Sequence, residues 1–132
     1  MSKKNVVSQI MTKTVFAVEA SVGFLDSLQL MVDKGIGCVV VTRNGEPIGM
    51  LTERDVLKRI VQDRGVLVSK LEDVMSQPLT AVPPETPVVD ALNLMKEKGI
   101  RRLPVVSQGK LEGIITIHSD LLYWVLKTAG TT

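Results

Sequence analysis

Sliding the sequence against itself by 64 residues sets 7–52 beside 71–116 without a gap, and 14 of the 46 pairs are identical. Met11/Met75, Asp26/Asp90, Gly35/Gly99, Gly49/Gly113 and Thr52/Thr116 are among them. This self-match constrains the fold more than any composition figure. Whatever one copy forms, the other forms too, so the architecture must be assembled from two like units.

Each copy reads in the same order. A short helical turn comes first, "VVSQIM" and then "SKLEDVM", where Ser69 and Glu72 have capping-box spacing. A strand follows at 15–18 ("VFAV") and at 79–82 ("LTAV"). Next is an amphipathic helix carrying Phe24, Leu28 and Met31 in one copy and Val88, Leu92 and Met95 in the other. Thr86 can cap the second of these helices, with Pro87 at its first position. Gly35 and Gly99 should end the two helices, since glycine readily takes positive φ. Two strands then enclose a tight turn, Arg43-Asn44-Gly45-Glu46 and Ser107-Gln108-Gly109-Lys110. Closing helices are predicted over 53–64 and about 120–128.

The prediction is an α/β fold of two β-α-β-β-α repeats: 1–64, a linker at 65–70, and 71–132. A unit of this size buries little apolar surface on its own. The runs "CVVV" and "LPVV" want cover on both faces. The two repeats are therefore expected to pack around a pseudo-two-fold axis as one compact module, leaving two related clefts.

Composition excludes several classes. The formal charge is +2, from 16 basic and 14 acidic residues, which gives no electrostatic footprint for nucleic acid or an anionic membrane. No apolar run reaches membrane-span length, and the N-terminal residues carry no signal-peptide pattern. One cysteine, Cys38, and one histidine, His118, cannot build a disulfide or a Cys/His zinc site. Cys38 lies in an apolar run and reads as a buried structural thiol in a reducing, cytoplasmic setting. No nucleophile–base pair or phosphate-cradling loop has recognisable spacing, so no catalytic residues are assigned and the chain is read as a non-enzyme.

The stretch "GMLTERD" at 49–55 has two readings. Thr52 and Asp55 have the spacing of a capping box, with Asp in place of Glu, which would commit both side chains to backbone amides. They also suit a sugar phosphate. A hydroxyl at a helix start can meet phosphate or ribose, and a carboxylate can accept from both hydroxyls of a vicinal diol. In the second copy, "GIITIHSD", one extra residue separates Thr116 from Asp120. That insertion rotates the carboxylate by about 100° on a helix with the same start. Alternatively it moves the cap to Ser119 and leaves His118 in a loop. Arg101 and Arg102 precede the strand "LPVV". They read as a charged strand edge or as guanidinium forks for phosphate. Tyr123 and Trp124, in a chain with few aromatics, read as core or as an interface anchor.

Taken in order and twice over, "VMSQPLTAVPPETPVVDAL", "KGIRRLPVV" and "GMLTERDVL" resemble the paired cystathionine-beta-synthase (CBS) domains, or Bateman module, across about residues 7–127. The resemblance implies a regulatory module that binds an adenosyl ligand (AMP, ADP, ATP or S-adenosylmethionine) in a cleft between repeats. It also implies self-association, with a homodimer expected, and signalling to a separate protein. Carried over residue by residue, the principal site combines Met50, Thr52 and Asp55 with Thr80, Val82, Arg101, Arg102, Leu103 and Pro104. In that site Met50 and Leu103 would flank the base. The second combines Thr14, Phe16 and Cys38 with Thr116, His118 and Asp120. There Gly37 and Cys38 stand where the first site has its arginines, so the second is expected to be weaker or empty. The competing readings are a structural dimerisation module with vestigial clefts and a small nucleotide hydrolase or transferase.

Overall fold

The structure, a computed structural model, describes residues 5–117. The predicted closing helix of the second repeat, with His118, Ser119, Asp120, Tyr123 and Trp124, lies outside them. The chain divides into two compact units. Among the described residues, the first unit holds 14–80 with 108–111, and the second holds 5–13, 81–107 and 112–117. Packing units and sequence repeats are thus different divisions of the chain.

In the first unit β1 (Ala17–Glu19) runs parallel to β2 (Cys38–Arg43), which pairs antiparallel with β3 (Glu46–Thr52) in the order β1-β2-β3. The run from Cys38 to Thr42 is buried throughout, as the unbroken apolar pattern requires. Asn44 and Gly45 both have positive φ (54° and 83°), the turn whose twist matches its strands. Glu19 secures this turn. Its carboxylate accepts from the Thr42 hydroxyl, Asn44 N and Gly45 N. Helix α1 (Phe24–Lys34) buries Phe24, Ser27 and Met31, half-buries Leu28, and ends at Gly35 with φ 64°. Helix α2 (Glu53–Gln62) follows β3 directly.

The second unit repeats the plan more sparsely. Helix α3 (Val88–Lys98) buries Val88, Ala91 and Met95 and ends at Gly99 with φ 67°. Strands β4 (Arg102–Ser107) and β5 (Lys110–Thr116) pair around Gln108 and Gly109, both again at positive φ. The predicted strand at 79–82 shrinks to a single parallel bridge, Val82 to Val105. Pro83 and Pro84 follow it and have no N–H with which to extend a ladder.

Each repeat's opening turn is built into the unit that holds the other repeat's sheet. The 3-10 turn Leu71–Asp73 belongs with β1–β3: Leu71 N donates to Val22 O at 2.8 Å, Ser76 exchanges backbone hydrogen bonds with Met50, and Leu71, Val74 and Met75 complete the core of Val18, Phe24, Met31, Val39, Val41 and Leu51. The 3-10 turn Val7–Gln9 belongs with β4 and β5: Val7 N donates to Thr86 O at 2.8 Å, Thr12 exchanges hydrogen bonds with Ile114, and Val7 joins Val82, Ala91, Met95, Leu103, Val105 and Ile115.

This exchange explains two departures from the sequence reading. Thr86 does not cap α3; Pro87 is the cap residue without a side-chain bond, and Val88 N donates instead to Asn5 O at 2.7 Å. Ser69 and Glu72 do not form a capping box. The turn begins after Lys70 with no side-chain cap, Ser69 O accepts from Phe24 N, and Glu72 reaches Arg43 at 2.9 Å. The predicted helix to 64 stops at Gln62. The segment read as linker includes a 3-10 turn, Arg64–Val68, whose Val66 and Leu67 pack on the first core.

Candidate functional site

The reading of "TERD" as a cap is met in full. Thr52 is the N-cap of α2: its hydroxyl oxygen accepts from Asp55 N at 3.2 Å, and Asp55 Oδ2 accepts from Thr52 N at 3.2 Å. The Thr52 hydroxyl also donates to Asp55 Oδ2 at 3.0 Å. A third donor was not anticipated. The Ser76 hydroxyl reaches the same oxygen at 3.1 Å. The sequence did hold a signal for it, because the repeat match pairs Ser76 with Thr12, each following one of the two matched methionines. Only the fold shows that this hydroxyl comes to Asp55 from 21 residues away.

The start of α2 has less to offer an anion than a bare helix end. Glu53 N donates to Gly37 O at 3.0 Å, and Asp55 N is held by Thr52. With two opening amides engaged, phosphate binding would fall mainly to cationic side chains. Met50, which leads into this corner on β3, is buried, and its backbone is paired with Ser76. Thr80 is half-buried and belongs to the same unit.

The remaining candidates of the principal site belong to the second unit. Val82 lies beside β4: its N donates to Pro104 O at 3.1 Å, and its O accepts from Val106 N at 2.9 Å. Pro104 has no N–H to give that ladder, but its carbonyl serves it. Leu103 is fully buried in the core, so its apolar side chain already has its partners. Arg101 is exposed and Arg102, which opens β4, is half-exposed. The Arg101 carbonyl accepts from Ile117 N at 2.8 Å, the counterpart of Gly37 O with Glu53 N.

Of the second set, Thr14 is exposed, while Phe16 packs against the first core with the Lys34 ammonium 5.9 Å from its ring centre. Cys38 is a free thiol, buried, and paired in register with Thr52. Thr116, half-buried, ends β5 in the second unit. His118 and Asp120, with the one-residue insertion, lie outside the described residues.

Among the described residues no group of three or more His, Cys, Asp or Glu side chains could hold a metal ion, and no helix is long and apolar enough to cross a membrane.

The family model for the CBS domain matches twice, at 7–62 and 71–119. An uncharacterized protein of Methanopyrus kandleri is 46% identical over 94 residues, which is 69% of this chain and 48% of that protein. The chain thus spans about half the length of that relative. The crystal structure of an uncharacterized conserved protein from Pyrococcus horikoshii matches with a TM-score of 0.80 and 28% identity, covering 95% of each chain. The crystal structure of CBSX2 in complex with AMP matches with a TM-score of 0.76 and 28% identity, covering 94% of this chain and 98% of that one. With the family model matching two segments that together take up most of its length, the chain belongs to the CBS domain family and carries a tandem pair of these domains.

Proposed function

We propose that this chain is a non-catalytic regulatory module that binds an adenine nucleotide and reports its presence to a separate protein. The observation that carries the reading is the Asp55 carboxylate. Its Oδ2 is tied down by Thr52 and Ser76, while Oδ1 takes no donor among the described residues. A half-buried carboxylate with one oxygen still open suits a hydroxyl-rich ligand better than an anion. The resemblance assigns Arg101 and Arg102 the positive charge that a phosphate needs. The AMP complex of a structural relative supports AMP as the first ligand to try. Binding would act by differential affinity, favouring the conformation that the ligand holds best. A cytoplasmic setting agrees with the buried, unpaired Cys38.

The test is a thermal-shift screen with AMP, ADP, ATP, NAD and S-adenosylmethionine, followed by calorimetry. Ligand at 100 times its Kd should add about 2.7 kcal/mol of stability. Arg101→Ala and Arg102→Ala should each weaken binding and reduce its salt dependence. No response to any of these ligands would defeat the proposal.

A second reading, a dimerisation module, has its own observation. A groove of about 560 Å³ between α1 and α2 is lined by Leu28, Met31, Val32, Ile36, Val56 and Leu57. Val32 and Leu57 there are largely exposed, as are Leu25 and Val61. Self-association through this face is compatible with ligand binding, and Leu57→Glu should leave a monomer in sedimentation if the face is used.

A further inference from the structure

We infer that Ser76 is a positioning residue that fixes which oxygen of Asp55 is offered to a ligand, and thereby sets discrimination between ribose and deoxyribose. This inference rests on the nucleotide reading above. A carboxylate has about four lone-pair positions, two on each oxygen. Three donors converge on Oδ2: Thr52 N at 3.2 Å, the Thr52 hydroxyl at 3.0 Å and the Ser76 hydroxyl at 3.1 Å. That oxygen has no capacity left.

The Thr52 contacts come with the helix cap, and the cap is complete without Ser76. The serine is therefore surplus to capping, yet it is held firmly. Its N donates to Met50 O at 2.8 Å, and its O accepts from Met50 N at 3.1 Å. The preceding Met75 is buried against Gly49. The backbone thus aims an exposed hydroxyl at one carboxylate oxygen.

The terminal torsion of an aspartate is broad and costs little to turn. Pinning Oδ2 from two elements limits that freedom and presents Oδ1, which takes no donor among the described residues. Two vicinal hydroxyls can then donate to Oδ1 without the carboxylate having to turn. A ligand lacking one of them leaves a lone pair unserved. Without Ser76 the carboxylate is held by the Thr52 contacts alone, which lowers the cost of turning it toward a ligand, so the missing hydroxyl matters less.

The experiment compares the wild-type chain, Ser76→Ala and Ser76→Thr by calorimetry. The probes are whichever of AMP, ADP and ATP binds best, with its 2′-deoxy and 3′-deoxy counterparts. The wild type should prefer the ribonucleotide by about tenfold, the worth of one good hydrogen bond. Ser76→Ala should weaken the ribonucleotide by about three- to tenfold and leave the deoxy analogues within about twofold, so that the preference collapses. Ser76→Thr, which keeps the hydroxyl, should restore it. A purely structural role would weaken all three ligands alike, and that result, or an unchanged preference in Ser76→Ala, overturns the inference while leaving nucleotide binding intact. Failure of the wild type to bind any of the three overturns the nucleotide reading and this inference with it.

Discussion

Gly49 and Met75 share space that only a residue without a side chain can leave open. A Cβ on Gly49 would lie 2.6 Å from Met75 Sδ and 2.8 Å from Ser76 O. Gly113 stands in the same relation to Met11, with distances of 2.7 Å to Sδ and 2.8 Å to Thr12 O. Two of the 14 identities in the internal repeat, Gly49/Gly113 and Met11/Met75, are thus one contact made twice. Gly49→Ala should destabilise the protein by about 1–3 kcal/mol through overpacking, measured as a shift in denaturant midpoint. Adding Met75→Ala should cost less than the sum of the two single changes, because the sulfur is gone although the carbonyl remains.

Leu71 tests the exchange of turns directly. It is fully buried in the first core although it belongs to the second sequence repeat. Leu71→Ala should cost about 2–5 kcal/mol in equilibrium unfolding. A loss below about 0.5 kcal/mol, as at an ordinary surface site, would mean that the turn is not part of that core.

Glu19 should make stability depend on acid pH. The Thr42 hydroxyl, then the Asn44 and Gly45 amides, hold its carboxyl below the ordinary value of 4.5. A group depressed in the folded state contributes stability that is fully present above its unfolded pKa and lost as pH falls through its folded pKa. Unfolding midpoints should therefore fall as pH drops below about 4.5, and Glu19→Gln should flatten part of that slope. A variant with the wild-type slope would show that the turn contacts do not act on the titration.

Asp55→Ala separates the two duties of the α2 start. Loss of half the capping box should cost about 0.5–2 kcal/mol in stability. If the carboxylate also serves the ligand, nucleotide affinity should fall by about tenfold or more under conditions where the variant is still folded. Calorimetry below the melting transition distinguishes cap alone from cap and ligand.

Several of these features were legible in the sequence because they depend on local chemistry. Gly35 and Gly99 end helices, Asn44-Gly45 makes its turn, and Thr52 with Asp55 forms the cap, each set by residues no more than a few positions apart. The features that escaped depend on distant partners. Thr86 is a good cap residue, but Asn5 O serves the start of α3 in its place. Ser69 and Glu72 have the spacing of a box, but Phe24 and Arg43 engage them instead. The repeat pairs Ser76 with Thr12, but only the Met50 pairing brings its hydroxyl to Asp55.

The crossed opening turns also bear on ancestry. A solitary copy of this repeat would extend an arm whose methionine has its glycine socket on a different copy. Two such copies could satisfy each other by trading arms. Joining the copies in one polypeptide made that trade intramolecular and freed it from dependence on concentration.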